Sequence, residues 1–257
     1  MMRVWHMSGA GNDFAVLDVR GKDLDLRALA TQLCARTGAD GMMALDVAED
    51  ADFRLHFYNA DGLRGEMCGN GSRCICRFAY DNGITGPTMQ VRTDAGMIYG
   101  WRIAEDRYRI RLNNPGVLDL HRKGDIAYVE LGTPGIPHAV VEVAAPPTRE
   151  ALRELGKQLR YDPAFPKGAN VNFFYELEEG HVKLLTYERG VEDFTLACGT
   201  GCASVACVLH ELGRLPGCKL TAQNEGGVLT VCMGAMRKNI TDLLLEGPVT
   251  VLNTFEI

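Results

Sequence analysis

The sequence predicts an α+β protein built as two domains from one duplicated unit, and three observations carry that expectation. A Cys-Gly-x-Gly segment occurs twice, as Cys68-Gly69-Asn70-Gly71 and Cys198-Gly199-Thr200-Gly201, 130 residues apart in a chain of 257. Each copy opens a helix-like run that stops at a glycine fifteen residues after the cysteine, Gly83 and Gly213. Each is then followed by a strand-like segment around Asp94-Ala95-Gly96 or Glu225-Gly226-Gly227. The length accommodates two domains of about 100–150 residues each.

In the first half, Arg3–Trp5 and Phe14–Asp18 have strand character and flank the turn-rich Ser8-Gly9-Ala10-Gly11-Asn12-Asp13. Leu26–Arg36 carries apolar residues at helical spacing and ends near Gly38, a glycine stop. Phe53–Tyr58 alternates and is aromatic-rich, so it reads as a strand. A helix over Gly71–Asp81 and strands at Met89–Arg92, Met97–Ile103 and Tyr108–Leu112 complete this half.

The second half repeats the order. Strands are predicted at Tyr128–Leu131 and Ala139–Val143, then a helix at Thr148–Leu159 with Thr148 as its N-cap. Strands follow at Asn170–Tyr175 and His181–Tyr187, then the Gly201–Leu212 helix, then strands at Lys219–Thr221, Val228–Met233 and Thr241–Glu246. Asn113-Asn114-Pro115-Gly116 is the clearest turn cluster near the midpoint and is read as opening the linker. The expected domains are 1–117 and 118–247, with the tail at about 248–257 packing back on the first.

Composition narrows the function classes. The chain is 46% hydrophobic and 23% charged with a net charge of −6, which excludes the basic footprint of a nucleic-acid binder. Its apolar stretches are far shorter than a membrane span, and Met1–Phe14 lacks a basic-then-apolar signal pattern, so a cytoplasmic location is expected. Nine cysteines, an odd number with no Cys-x-x-Cys pair, argue against a disulfide scaffold and give no support to structural zinc. Most of the nine are expected to be buried as small hydrophobic residues.

Cys68 and Cys198 stand apart because each precedes a Gly-x-Gly turn and a helix start. Glycines let the backbone turn tightly, and a helix start presents N–H groups and a positive dipole end. Such a site holds a carboxylate and should also stabilise a thiolate, lowering the cysteine pKa toward neutrality. Two such motifs suit a reaction that needs a base on one face of a carbon and an acid on the other. A lone thiol nucleophile with a histidine base would not explain a thiol in both halves.

At these residues the chain resembles the diaminopimelate epimerases, within the two-cysteine racemase and epimerase superfamily. The resemblance runs through Gly11-Asn12-Asp13-Phe14, Gly38-Ala39-Asp40-Gly41, Asn59-Ala60-Asp61-Gly62 and Met67-Cys68-Gly69-Asn70-Gly71. It continues through Pro137-His138-Ala139-Val140, Asn170-Val171-Asn172-Phe173, Tyr187-Glu188-Arg189-Gly190 and Leu196-Ala197-Cys198-Gly199-Thr200-Gly201. The resemblance implies two pseudo-symmetric domains, each a mixed or antiparallel β-barrel-like sheet around a central helix, with the active site in the cleft between them.

It implies further that Cys68 and Cys198 are the proton-transfer residues and that Gly69, Asn70, Gly199 and Thr200 hold the reacting carboxylate. Asn12, Asn59, Asn170, Glu188 and Arg189 match substrate-binding positions, and His138 and Glu188 match residues that tune the protonation of the cysteines. No cofactor or metal is implied. The expected partner is a small amino-acid substrate, with neither nucleic acid nor membrane, and a homodimer is compatible with the resemblance. The expected reaction converts L,L-2,6-diaminopimelate to the meso form, in lysine and peptidoglycan-precursor synthesis. The alternative is a racemase of another amino acid, glutamate or histidine. It is favoured by departures from the family pattern at Ile136 and Phe194, while Leu63 and Arg64 stand where Ser-Glu is common.

Overall fold

The computed structural model describes residues 1–65, 68–236 and 239–257, with the backbone alone described for 235 and 236. Met67, in one of the blocks that carries the resemblance, lies outside the described residues. The chain divides into two compact units, Met1–Arg111 with Gly247–Ile257, and Leu112–Glu246.

The first unit contains β1 (Arg3–Ser8), β2 (Asp13–Asp18), α1 (Leu26–Thr37), β3 (Gly41–Asp46), β4 (Phe53–Asn59) and the short β5 (Arg64–Gly65). It continues with α2 (Gly69–Asp81), β6 (Thr88–Thr93), β7 (Gly96–Arg102) and β8 (Arg107–Arg111). The C-terminal strand Thr250–Glu256 pairs antiparallel with β1, and β1 pairs antiparallel with β2. From there β2–β3 is parallel, β3–β4 antiparallel, β4–β6 parallel, and β6–β7 and β7–β8 antiparallel. Each parallel pair needs a long crossover, and the helices provide it: α1 between β2 and β3, and α2 between β4 and β6.

The second unit contains β9 (Pro115–Lys123), β10 (Ile126–Gly132), β11 (Gly135–Glu142), α3 (Arg149–Arg160), β12 (Asn170–Glu178), β13 (His181–Glu188) and β14 (Asp193–Thr195). It ends with α4 (Gly199–Glu211), β15 (Lys219–Asn224), β16 (Gly227–Met236) and β17 (Asn239–Pro248). Its ladder runs β9–β10–β11 antiparallel, β11–β12 parallel, β12–β13 antiparallel, β13–β15 parallel and β15–β16–β17 antiparallel. That is the first unit's sequence of parallel and antiparallel steps, with the C-terminal strand in the place of β9. The duplication read from two short motifs therefore extends through the whole topology.

The sheet in each unit wraps a central helix. Helix α2 touches β1, β2, β3, β7 and β8, and α4 touches β9 through β12 together with β15 and β16. A helix surrounded in this way is apolar nearly all round. In α4, Cys202, Ala203, Ser204, Val205, Ala206, Cys207, Val208 and Leu209 are all buried. Burial pushes the Cys76 and Cys207 thiols up to about 12, so these sulfurs act as small apolar side chains.

Two sequence-based expectations shift, and strand β3 is unanticipated. Both central helices begin two residues early, at Gly69 and Gly199, so the cysteines themselves are the N-caps. The boundary expected at 117/118 falls at 111/112, because Pro115 opens a strand paired with β10 instead of a linker. Strand β3 carries no alternation because both of its faces are buried, as Gly41-Met42-Met43-Ala44-Leu45 shows.

Candidate active site

The two cysteines share one backbone conformation, with φ/ψ of −130°/119° at Cys68 and −118°/109° at Cys198. An extended residue followed at once by helix aims its side chain over the first turn. The N–H groups there, at Gly69 in one unit and at Gly199 and Thr200 in the other, have no helical carbonyl to meet. That turn is where the sequence reading expects an anion to sit.

The hydrogen bonding of the two sulfurs differs. Cys198 behaves as a capping residue: its Sγ accepts from the Gly201 N–H at 3.3 Å and lies 3.5 Å from the Thr200 hydroxyl. Cys68 makes no capping bond. Its Sγ donates instead to Asn12 Oδ1 at 3.6 Å.

The expectation that the helix start would bring the thiols toward neutrality is corrected for Cys198. Burial pushes this thiol well above its ordinary value, and the negative charge of Glu188 pushes it further. The Thr200 hydroxyl and Gly201 N–H pull back only in part. Desolvation outweighs the helix field here because the side chain has almost no contact with water.

In the first unit, the turn Ser8–Asn12 brings Asn12 to the helix start. Ala10 and Gly11 take left-handed φ values of 59° and 82°, and the Gly9 N–H donates to the Asn12 carbonyl at 2.9 Å. A Cβ on Gly9 would sit 2.7 Å from the Asn70 carbonyl oxygen, so the turn lies directly on the first turn of α2. Fully buried Arg73 donates to Asn70 Oδ1 at 2.9 Å and to the Gly69 carbonyl at 3.3 Å, fixing the start of α2.

Asp40 is the residue that the sequence reading missed. Its Oδ2 accepts from Asn12 Nδ2 and from the Asp13 N–H. Its own N–H donates to the Asp13 carbonyl, and its carbonyl accepts from the Ala60 N–H, next to Asn59. Because a carboxylate only accepts, it holds the Asn12 amide with Nδ2 toward Asp40, which turns Oδ1 toward the Cys68 thiol. Asp40 lies inside the Gly38–Gly41 block; its one sequence signal is an acidic residue at the mouth of a buried strand.

In the second unit, Asn170 braces the end of β13. Its Oδ1 accepts the Arg189 N–H at 2.8 Å and its Nδ2 donates to the Pro137 carbonyl at 3.2 Å. The Arg189 side chain is exposed and donates through Nη1 to the Lys167 carbonyl at 3.0 Å. His138, on β11 beside Asn170, has no exposed surface, and Nδ1 lies 3.1 Å from Asn172 Nδ2. Burial pushes its pKa down to about 3, with the Arg189 charge adding to the effect, so the ring is neutral.

The departures from the family pattern make structural contacts of their own. Phe194 is a core residue, edge-on to Tyr187 at 5.4 Å and tilted against Phe173 at 6.3 Å. Ile136 pairs with Leu131 in the β10–β11 ladder. Leu63 is exposed, and Arg64 pairs with Asp94 at 3.1 Å. No group of histidine, cysteine or acidic side chains suited to a metal ion occurs among the described residues. No helix among them is long and apolar enough to cross a membrane.

Comparison with known proteins agrees with this geometry. The family model for diaminopimelate epimerase matches residues 4–109 and 132–251. The diaminopimelate epimerase of Aquifex aeolicus is 34% identical, covering 96% of this chain and 95% of its own. That of Campylobacter jejuni subsp. jejuni is 37% identical over 78% of each chain. Among solved structures, a phenazine biosynthesis protein of the PhzF family from Bacillus anthracis has the same fold, with a TM-score of 0.79 at 13% identity, covering 100% of this chain and 98% of its own. A probable proline racemase from Agrobacterium radiobacter K84 follows with a TM-score of 0.67 at 17% identity, covering 100% and 93%. With two N-capping cysteines at matched places in repeated units, and a family model spanning most of its length, the chain belongs to the diaminopimelate epimerase family.

Proposed function

We propose that the protein interconverts L,L- and meso-2,6-diaminopimelate by removing the α-proton with one sulfur and delivering a proton from the other to the opposite face, within lysine and peptidoglycan-precursor synthesis. The observation that carries this is the pair of N-capping cysteines, each at the start of a buried helix whose first turn can hold a carboxylate. In one direction the Cys198 thiolate takes the α-proton while the Cys68 thiol gives its own to the opposite face. The α-carbon inverts, the proton count is unchanged, and the sulfurs exchange protonation states. The reverse reaction exchanges their roles.

The raised Cys198 thiol suits this chemistry. A sulfur that ionises reluctantly is the stronger base once ionised, which narrows the gap to a weakly acidic α-C–H. Approach of the substrate's cationic amino group favours that ionisation. As the carbanion forms, charge spreads into the carboxylate, where the helix-start N–H groups of Gly69, Gly199 and Thr200 meet it, with Asn70 beside them. Asn59 at the exposed end of β4 and Arg189 on the exposed turn after β13 are suited to the distal amino-carboxylate. A guanidinium binds a carboxylate in bidentate fashion, and this distal grip selects which of two chemically alike centres reacts.

Proton NMR in D2O tests the reading, with reduced enzyme and a panel of L,L-diaminopimelate, glutamate, histidine, lysine and proline. Deuterium is expected at the α-position of diaminopimelate, with meso product appearing. Exchange confined to another amino acid would keep the two-sulfur chemistry and overturn the substrate. Absence of exchange on all of them, with both thiols free, would overturn the whole reading.

A further inference from the structure

The side chain beneath the second cysteine's helix is an asparagine. Asn172 has no exposed surface, yet it is polar and lies on β12 between Val171 and Phe173. Its Nδ2 donates to the Ala139 carbonyl at 2.9 Å, with the Asn170 carbonyl at 3.3 Å, and meets His138 Nδ1 at 3.1 Å. Its Oδ1 accepts from the Thr186 hydroxyl at 3.0 Å. A Cβ on Gly201 would come within 2.2 Å of that same Oδ1, so the amide lies immediately under the first turn of α4. It thus touches the residue whose N–H meets the Cys198 sulfur.

This arrangement fixes a proton. A backbone carbonyl only accepts, so the atom facing Ala139 is the amide nitrogen, and Thr186 on the other side completes the same orientation. The second amide hydrogen is shared between the Asn170 carbonyl and His138 Nδ1, and because an amide nitrogen only donates, the Nδ1 that faces it must be the unprotonated ring nitrogen. The ring proton is then on Nε2, and this buried atom has no hydrogen-bond partner among the described residues. A fully buried donor left without an acceptor is costly, and proteins keep such groups where a ligand or a reacting atom completes them.

We propose that Asn172 is a positioning residue that locks His138 in the Nε2–H tautomer. His138 then serves the site as a neutral hydrogen-bond donor to a negative charge brought in by the substrate or formed on sulfur, instead of as a general base. The functional part of this inference rests on the epimerase reading; the tautomer does not. Thr186 is the outer member of the lock, Arg189 is the charge that bears on the ring, and Gly201 is the point where the lock meets α4.

Long-range proton–nitrogen NMR of protein labelled with ¹⁵N-histidine distinguishes the two tautomers and the imidazolium. The chain has six histidines, and the His138 signal is the one that H138Q removes. The expected spectrum shows neutral Nε2–H at this residue throughout pH 5–8. An Nδ1–H tautomer, or a ring that titrates inside that range, would overturn the proposal even if diaminopimelate is not the substrate. In N172D the new carboxylate can only accept, so the proton should move to Nδ1, and kcat should fall on the order of 10²-fold with KM little changed. A folded N172D with reversed tautomer and wild-type kcat would refute the positioning role. Should N172D not fold, T186V provides the second test, with a mixed tautomer signal expected and an unaltered one counting against the lock.

Discussion

Gly71 and Gly201 occupy equivalent places in the two motifs, yet an added methyl group should affect them very differently. At Gly201 the Cβ would lie 2.2 Å from Asn172 Oδ1 and 3.0 Å from Thr186 Oγ1, where ordinary contact begins near 3.4 Å. About 1.2 Å must be opened at the worst contact. Asn172 is held by bonds to Ala139, His138 and Thr186 and cannot yield without breaking them, so the first turn of α4 must lift instead. That turn carries the Gly201 N–H on the Cys198 sulfur and the Gly199 and Thr200 N–H groups proposed to hold the carboxylate. A displacement of about 1 Å in groups that position a reacting centre costs roughly 10²-fold in rate. At Gly71 the clash is closer, 1.7 Å, but the atom met is Met43 Cε, the far end of a flexible side chain. Overpacking there should cost about 1–3 kcal/mol of stability while the helix start stays in place. The assay is deuterium exchange at the α-carbon beside a urea denaturation curve for each variant. A folded G201A with wild-type exchange would refute the argument, as would a folded G71A whose rate falls as far as that of G201A.

Three further outcomes are expected. D40A releases the Asn12 amide from its single orientation and should lower kcat roughly tenfold, the worth of about one hydrogen bond. D40N retains an acceptor for Asn12 Nδ2 and the Asp13 N–H and should stay near the wild-type rate; equal loss in both variants would count against the orientation argument. E188Q removes a like charge that pushes the Cys198 thiol up, so alkylation of Cys198, followed peptide by peptide, should rise at lower pH than in the wild type. No shift would mean that burial alone governs this thiol. His138 is pushed down from 6.5 to about 3, so between these values the unfolded chain binds a proton that the folded one refuses. Its contribution to stability is complete above pH 6.5 and shrinks as the pH falls, by about 1.4 kcal/mol per unit and roughly 2–3 kcal/mol by pH 4.5. Urea unfolding across pH 4.5–7 should show that slope in the wild type and lose it in H138Q.

What could be read from sequence divides along a physical line. The helix stops were legible, because Gly83 and Gly213 take left-handed φ values of 67° and 72° that few other residues tolerate. The cysteines were legible because a glycine motif repeated at fixed spacing is a pattern, and patterns survive without coordinates. Strand β3 was not, since a strand buried on both faces loses its period of two. Strand β9 was hidden by Asn113-Asn114-Pro115-Gly116, a turn-like composition whose last two residues lie inside the strand. Asp40 and Asn172 stood in view within recognised blocks, but their importance lies in which atom faces which. A buried Asn amide and a loop Asn are the same letter, and only the Ala139 carbonyl beside Nδ2 distinguishes them.

The same limit applies to the symmetry that made the chain legible. Inversion at carbon needs its two sulfurs in opposite states at each moment, one ionised and one protonated. Two faithful copies of a motif would favour the same state in both. Here the copies agree in backbone and diverge in bonding: one sulfur gives its hydrogen to Asn12, and the other receives the N–H of Gly201. The residues behind the helices diverge too, since buried Arg73 stands 130 positions before Ala203. Arg73 grips the Asn70 side chain and the Gly69 carbonyl, whereas the second helix start rests on an uncharged amide, Asn172. Duplication supplies two helix starts of matched backbone. The unmatched neighbours then separate acid from base, so substitutions that make the neighbours alike should damage turnover more than substitutions that weaken both helix starts equally.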